Sequence, residues 1–382
     1  MPSSARNVAV TLDVGRADEG IGPYEFAPNM EKPSPVPHSS PPGRNFFIFT
    51  LTIHPDGRIL VVSTSKGGGT VHETLYIQPH KRPKVLLLGN GLNRVYGGAS
   101  WAGLLEKINR TPYRPEDIKG IPFPMQAVLL SRDHVDSSLH QLKEELTRCE
   151  LHPWLEETLH RLLALPFDCI LTPNFTYEIE CAAVPDFLTK NRWKRHQRHT
   201  AAVKQSEKRF MLHTYYDLPL ADRTVPLFHI HGEARKPKSV ILGHYYYGSL
   251  LFRYDQYLTR RAPGEKYRTG KHPEGLPVLS WLDYFILGDV YSLGFGFDPS
   301  EMDMWWLLCR KKYEQAAHGS LYFLEPDRRS AETKIALLKA YHARHVSFGV
   351  KDPKTPDDYR QFYETALEGL EAHIKLKEGM PL

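Results

Sequence analysis

Residues 85–88 read Val-Leu-Leu-Leu and run directly into Gly89-Asn90-Gly91. Four apolar residues in a row leave no face for water, so the segment suits a strand covered on both sides, the situation of parallel strands inside α/β proteins. Similar short runs recur at 169–171, 227–230, 240–242, 290–293 and 321–324. Between and after them, residues 137–151, 154–165, 302–317 and 331–345 alternate apolar and polar positions at helical spacing. Short buried strands separated by amphipathic helices predict an α/β domain built on a mostly parallel sheet.

Two stretches interrupt the alternation, at about 112–166 and 185–216, and both are expected as helical insertions; the second carries the basic run KNRWKRHQRH. Residues 1–44 are rich in Pro, Ser and Gly, with five prolines between Pro33 and Pro42, and read as a flexible segment with a short strand near Val8. Three β-like runs follow at 46–53, 58–64 and 71–77, with turns at Pro55-Asp56-Gly57 and Gly67-Gly68-Gly69, predicting an antiparallel meander over 45–80. The main domain then spans 81–382.

No stretch offers eighteen continuous apolar residues and the first residues lack a secretory pattern, so neither a membrane nor export is expected. Cys149, Cys169, Cys181 and Cys309 include no CxxC pair, which argues against a cysteine zinc site or a disulfide scaffold and for a cytoplasmic protein. The net charge of +5 arises from 49 basic and 44 acidic side chains and does not by itself imply nucleic acid.

Ligands of open α/β sheets bind at the carboxyl ends of the strands, so the residues just after each apolar run matter most. Gly89-Asn90-Gly91-Leu92-Asn93-Arg94 offers a glycine turn for a diphosphate, an expected helix N-terminus behind it and a cation. Asn174, in Leu171-Thr172-Pro173-Asn174, places an amide at a strand end; a helix-capping turn is the plainer alternative. His229 and His231 share one face of an extended segment and titrate near neutrality, as a base requires, while no further metal ligand is placed near them. Gly294-Phe295-Gly296 is a second glycine turn, and Glu325 is an acidic strand end suited to ribose hydroxyls.

Taken in order, LLLGNGLNR, LTPNFTYEIE, FHIHGE, SLGFGFDPSEMDMWWLL and YFLEPD resemble the sirtuin-like NAD⁺-consuming family over about residues 85–327. The resemblance implies a Rossmann-like sheet, with Gly89, Asn90, Gly91, Asn93 and Arg94 around NAD⁺ phosphates and ribose. It implies that Asn174 positions the nicotinamide ribose or the attacking water, that His231 is the general base, that Gly294 and Gly296 line the adenosine half, and that Glu325 lies near its ribose. The chain departs from deacylases of the family in lacking a four-cysteine zinc module, in Thr176 where many relatives carry Asp, and in Gly296 where Ser is usual.

These departures point to the branch that hydrolyses NAD⁺ in bacterial anti-phage defence, without a metal, as a homo-oligomer and with a HerA-type ATPase as possible partner. The alternatives are a sirtuin-type deacylase and a degenerate nucleic-acid- or protein-binding module. For the latter, Lys190, Arg192, Lys194, Arg195 and Arg198 supply a basic surface, although a solvated insertion explains them more simply.

Overall fold

The computed structural model describes residues 7–11, 48–53, 59–64, 75–77, 81–98, 100–261, 275–314, 319–327, 331–348 and 351–378. The chain divides into two compact units, Met1–Thr74 and Leu75–Leu382. In the first unit β1 (Asn7–Thr11), β2 (Ile48–Ile53) and β3 (Ile59–Thr64) form an antiparallel sheet in that order. Most of the Pro-rich segment and both turns expected between these runs lie outside the described residues.

The third run expected in the meander goes elsewhere. Its described end, β4 (Tyr76–Ile77), pairs antiparallel with β10 (Leu276–Pro277), inside the second unit. Ile77 is buried in that unit's core, so its apolar side chain, and not proximity in sequence to β3, decides where the strand lies.

The second unit is built on an eight-stranded sheet in the order β13-β12-β11-β5-β6-β9-β8-β7. Its parallel members are β5 (Lys84–Leu88), β6 (Cys169–Thr172), β9 (Thr224–His229), β11 (Asp289–Leu293), β12 (Leu321–Leu324) and β13 (Ala343–Val346). Counted along the chain these lie in the order three-two-one-four-five-six, compatible with a Rossmann-like doubly wound sheet. The chain moves outward from β5 in one direction and resumes at β11 on the other side, so the switch point falls between β5 and β11.

Both faces of the sheet are covered, as the apolar runs require. Leu86, Leu88, Ile170, Tyr291 and Leu293 enter one core, while Val85, Leu87, Cys169, Leu171 and Val290 enter the other. The first core is roofed by α1 (Trp101–Ile108), α2 (Phe123–Ser131), α3 (Val135–Leu146), α4 (Pro153–Ala164) and α5 (Glu178–Ala183). After the short α6 (Trp193–His196), the second core is roofed by α7 (His244–Arg261), α8 (Trp281–Leu287), α9 (Met302–Tyr313) and α10 (Glu332–Ala340). Finally α11 (Pro356–Glu378) returns to the first face, burying Phe362, Tyr363, Ala366, Leu367, Leu370 and Ile374.

Local chemistry fixes the helix starts. Ser100 accepts from the Gly103 amide (3.0 Å) at the head of α1, and Ser280 with Asp283 makes a capping box at the head of α8. At the other end of α8, the Lys311 ammonium donates to the carbonyls of Phe285, Ile286 and Gly288 at 2.7–2.9 Å, satisfying acceptors the helix leaves open.

Several expectations are corrected. The insertion at 112–166 is helical, but 185–216 holds one helical turn in α6 and then supplies β7 (Gln197–His199) and the start of β8 (Thr214–Pro219), two antiparallel strands that extend the sheet edge. Tyr215 and Tyr216 are buried against the sheet, and that burial outweighs the helix-like charge pattern before them. Residues 240–242 are buried but form no strand; the Ile241 amide donates to the His231 carbonyl instead. The helix expected over 331–345 stops at Ala340, and His342 at φ +64° turns the chain into β13.

Candidate functional site

The carboxyl ends of β5 and β11 are stitched together by backbone. The Gly89 amide donates to the Leu293 carbonyl (2.9 Å) and the Gly91 amide to the Gly294 carbonyl (2.8 Å). Only glycine allows this approach: a Cβ at Gly89 would stand 2.5 Å from the Gly294 oxygen and from the Phe295 Cα. These two amides are therefore spent on the neighbouring turn and do not point at a phosphate. Nor does a helix open directly behind the turn. Asn93–Tyr96 is a single 3₁₀ turn ended by Gly97 at φ +87°, and α1 starts only at Trp101.

Above the stitched turns lies a cavity of about 560 Å³. Of the residues singled out from the sequence, Asn90, Gly91, Arg94, Asn174, Gly294, Gly296 and Glu325 line it, while Gly89, Asn93 and His231 do not. Asn93 is buried and acts one step back, its Nδ2 donating to Asn90 Oδ1 (3.0 Å) and its carbonyl accepting from the Gly98 amide. Glu325 is held by Lys334, whose Nζ also donates to the Gly296 carbonyl (2.8 Å).

Asn174 is positioned from three strand ends. Thr172 Oγ1 donates to the Leu88 carbonyl (2.8 Å) and accepts from the Asn174 amide (3.2 Å), while the Ile230 amide donates to the Thr172 carbonyl. His229 completes the arrangement: Nδ1 meets the Asn174 carbonyl (2.7 Å) and Nε2 meets Glu180 Oε1 (2.6 Å). Burial by itself lowers the imidazolium's pKa, but the adjacent Glu180 carboxylate outweighs it and raises His229 to about 9. Charged at neutral pH, the ring donates from both nitrogens and clamps the Asn174 backbone.

His231 lies behind the wall, 1% exposed, with Nε2 2.8 Å from Asp303 Oδ2 and Nδ1 3.7 Å from Glu301 Oε2. Burial again lowers its pKa, yet Asp303 first and Glu301 next raise it to about 9. Glu301 does line the cavity, and Tyr247 donates to its Oε2 (3.0 Å). Gly232, which follows His231, has φ +89° and is packed against the Ser239 backbone, so it serves the fold and not a ligand.

His231, Glu301 and Asp303 bring potential ligand atoms within 4.8 Å of one another, a spacing that would hold a divalent cation. Asp303 first and Glu301 next, by raising His231 to about 9, favour a charged imidazole beside them at neutral pH.

Sequence reasoning missed four parts of the wall. Glu301 sits in a loop just ahead of α9, where an acidic residue looks like an ordinary helix start. Lys334 lies within α10, and Lys354 with Thr355 stands at the head of α11. Tyr359, Phe362 and Tyr363 of α11 close one side, Tyr363 so near the first turn that a Cβ at Gly91 would stand 2.2 Å from its hydroxyl. The helical pattern of 356–378 was the available signal for α11, although it says nothing of the cavity.

The chain was compared with models of known protein families and with curated proteins, and neither comparison finds a match.

Proposed function

We propose that this protein hydrolyses NAD⁺ at the bond between nicotinamide and ribose, giving nicotinamide and ADP-ribose. The observation that carries the reading is the cavity at the switch point, where two glycine turns from adjacent parallel strands meet beside a rigidly held Asn174. Dinucleotides bind at such points, and nicotinamide leaves as a neutral molecule, so little acid catalysis is needed. What the site must do is orient the ribose, place a water against C1′ and keep other water out. The Asn174 amide suits the first two tasks. Arg94 offers a cation for the diphosphate, and Glu325 an acceptor for ribose hydroxyls.

The reading extends to NAD⁺ depletion in anti-phage defence, with assembly or a HerA-type ATPase as the control. Incubation of the purified full chain with NAD⁺, with and without candidate partners, should release nicotinamide and ADP-ribose in equal amounts. Absence of both products, together with no binding of ADP-ribose, rejects it.

One observation favours a second reading, a deacylase. An apolar cavity of about 600 Å³, lined by Leu105, Phe123, Met125 and Met302, shares Asp298 with the first and has room for an acyl chain. NAD⁺ consumption that requires an acyl-lysine peptide would favour this reading over plain hydrolysis.

A further inference from the structure

We propose that the basic edge formed by residues 187–213 and 235–238 binds the phosphate backbone of a nucleic acid without reading its sequence. This surface needs nothing from the NAD⁺ reading; the placement of charge carries it. Residues 187–213 hold eight Lys or Arg and a single acidic residue, Glu207, more positive charge than the net +5 of the whole chain. Residues 235–238 add Arg235, Lys236 and Lys238 and no acid.

A solvated helix face would make such a run unremarkable, but the chain builds no such face here. The helix α6 is a single turn, entered through left-handed Lys190 (φ +46°) and Asn191 (φ +63°) and left through β7, the edge strand of the sheet. The two segments meet at Arg235 and Lys236. The Arg235 guanidinium donates to the Leu188 carbonyl (3.1 Å) and lies 5.1 Å from the centre of the Trp193 ring, while Lys236 Nζ donates to Ser206 Oγ (2.7 Å). Cations from 190–195, from the Ser206 loop and from 235–238 are thereby gathered on one edge.

The acids nearby are already committed. Glu207 accepts from the amides of Leu212, His213 and Thr214, and buried Glu233 faces Lys236, Tyr177 and Tyr216. Asp186 pairs with Arg192 and Asp217 with Arg198. Among the described residues no acidic side chain pairs with Lys190, Lys194, Arg195, Lys204, Lys208 or Lys238, and all six are exposed. Crowded like charges repel, and a polyanion relieves that repulsion while releasing its own counterions. A protein partner would want apolar anchors at the centre of the contact, yet none of the exposed large hydrophobic side chains among the described residues lies in these segments. A membrane surface would want an amphipathic helix, which the four residues of α6 cannot supply.

Fluorescence anisotropy with the full-length protein and a labelled DNA duplex of about 20 base pairs tests the assignment. Affinity should fall on the order of 100-fold between about 50 and 200 mM salt. At the lower salt, Lys190→Ala/Lys194→Ala/Arg195→Ala should weaken binding on the order of 10-fold and flatten the salt dependence, with circular dichroism and melting unchanged. Lys204→Ala/Lys208→Ala, on the Ser206 loop, should weaken it in the same way, whereas Lys190→Arg/Lys194→Arg/Arg195→Lys should bind as the parent does. Lys339→Ala/Lys351→Ala/Lys375→Ala removes as much charge from exposed sites outside these segments and should leave affinity intact. No binding at the lower salt, or an equal fall in the two alanine triples, overturns the proposal. Displacement of the duplex by poly-glutamate at equal charge, or capture by phosphatidylserine vesicles without duplex binding, overturns the assignment to nucleic acid.

Discussion

His229 and His231 sit two residues apart and are both buried, yet they serve different parts of the site. His229 grips the backbone of Asn174 through its carbonyl, and His231 faces Glu301. Because both folded pKa values are raised from 6.5 to about 9, their contribution to stability is fully present below about pH 6.5 and fades as the pH rises through 9. Thermal unfolding should therefore shift down by several degrees between pH 6.5 and 9.5, and a flat profile would exclude the two charged imidazoles. Removing the ring partner is more severe. His229→Leu leaves Glu180 buried without its counter-charge, and chemical denaturation should show a loss of about 3–5 kcal/mol. Asn174→Ala, by contrast, touches only an amide on the wall: NAD⁺ cleavage should vanish while circular dichroism and the melting curve stay as in the parent. Turnover retained by that folded variant rejects the role given to Asn174.

At the scale of elements, the two glycine turns behave as one part. Gly89→Ala drives a methyl into the β11 turn and should cost about 1–3 kcal/mol, along with ADP-ribose binding. Gly296 is the control, since a Cβ there meets nothing within 4 Å. Gly296→Leu should fold with an unchanged melting curve and still lose ADP-ribose by calorimetry, because its side chain enters the cavity. The strands bearing these turns were legible in the sequence for a plain physical reason: a short run without polar residues has few places to go except a doubly covered sheet.

The turns at strand ends followed from that, and with them seven of the cavity-lining residues, from Asn90 to Glu325. Other features depended on long-range contact. Residues 343–346 continue a helical pattern yet form β13, because pairing with β12 rewards extension there. The stretch at 185–216, read as a helical insertion, yields β7 and the start of β8 for a similar reason. Glu301 became visible only once the fold had brought it against His231, seventy positions earlier in the chain.

For the whole molecule, the boundary at Thr74 makes a clean experiment possible. A chain lacking residues 1–74 keeps Tyr76–Ile77, which belong to the second unit. If the first unit serves assembly or a partner, that chain should bind ADP-ribose as before while its mass by light scattering, or its response to a HerA-type ATPase, changes. Identical mass and response in the two chains would remove the idea. Among the described residues no helix is long and apolar enough to cross a membrane.

The closing of the cavity by α11 has a consequence in time. The first wall of the site is made at Asn90 and the last at Tyr363, so almost the whole second unit must be synthesised before the pocket is complete. A ribosome-bound chain halted before Pro356 presents the turns and Asn174 but an unfinished enclosure, open to bulk water. On the proposed NAD⁺-hydrolysing reading, every unfinished copy lacks the enclosure that cleavage would need.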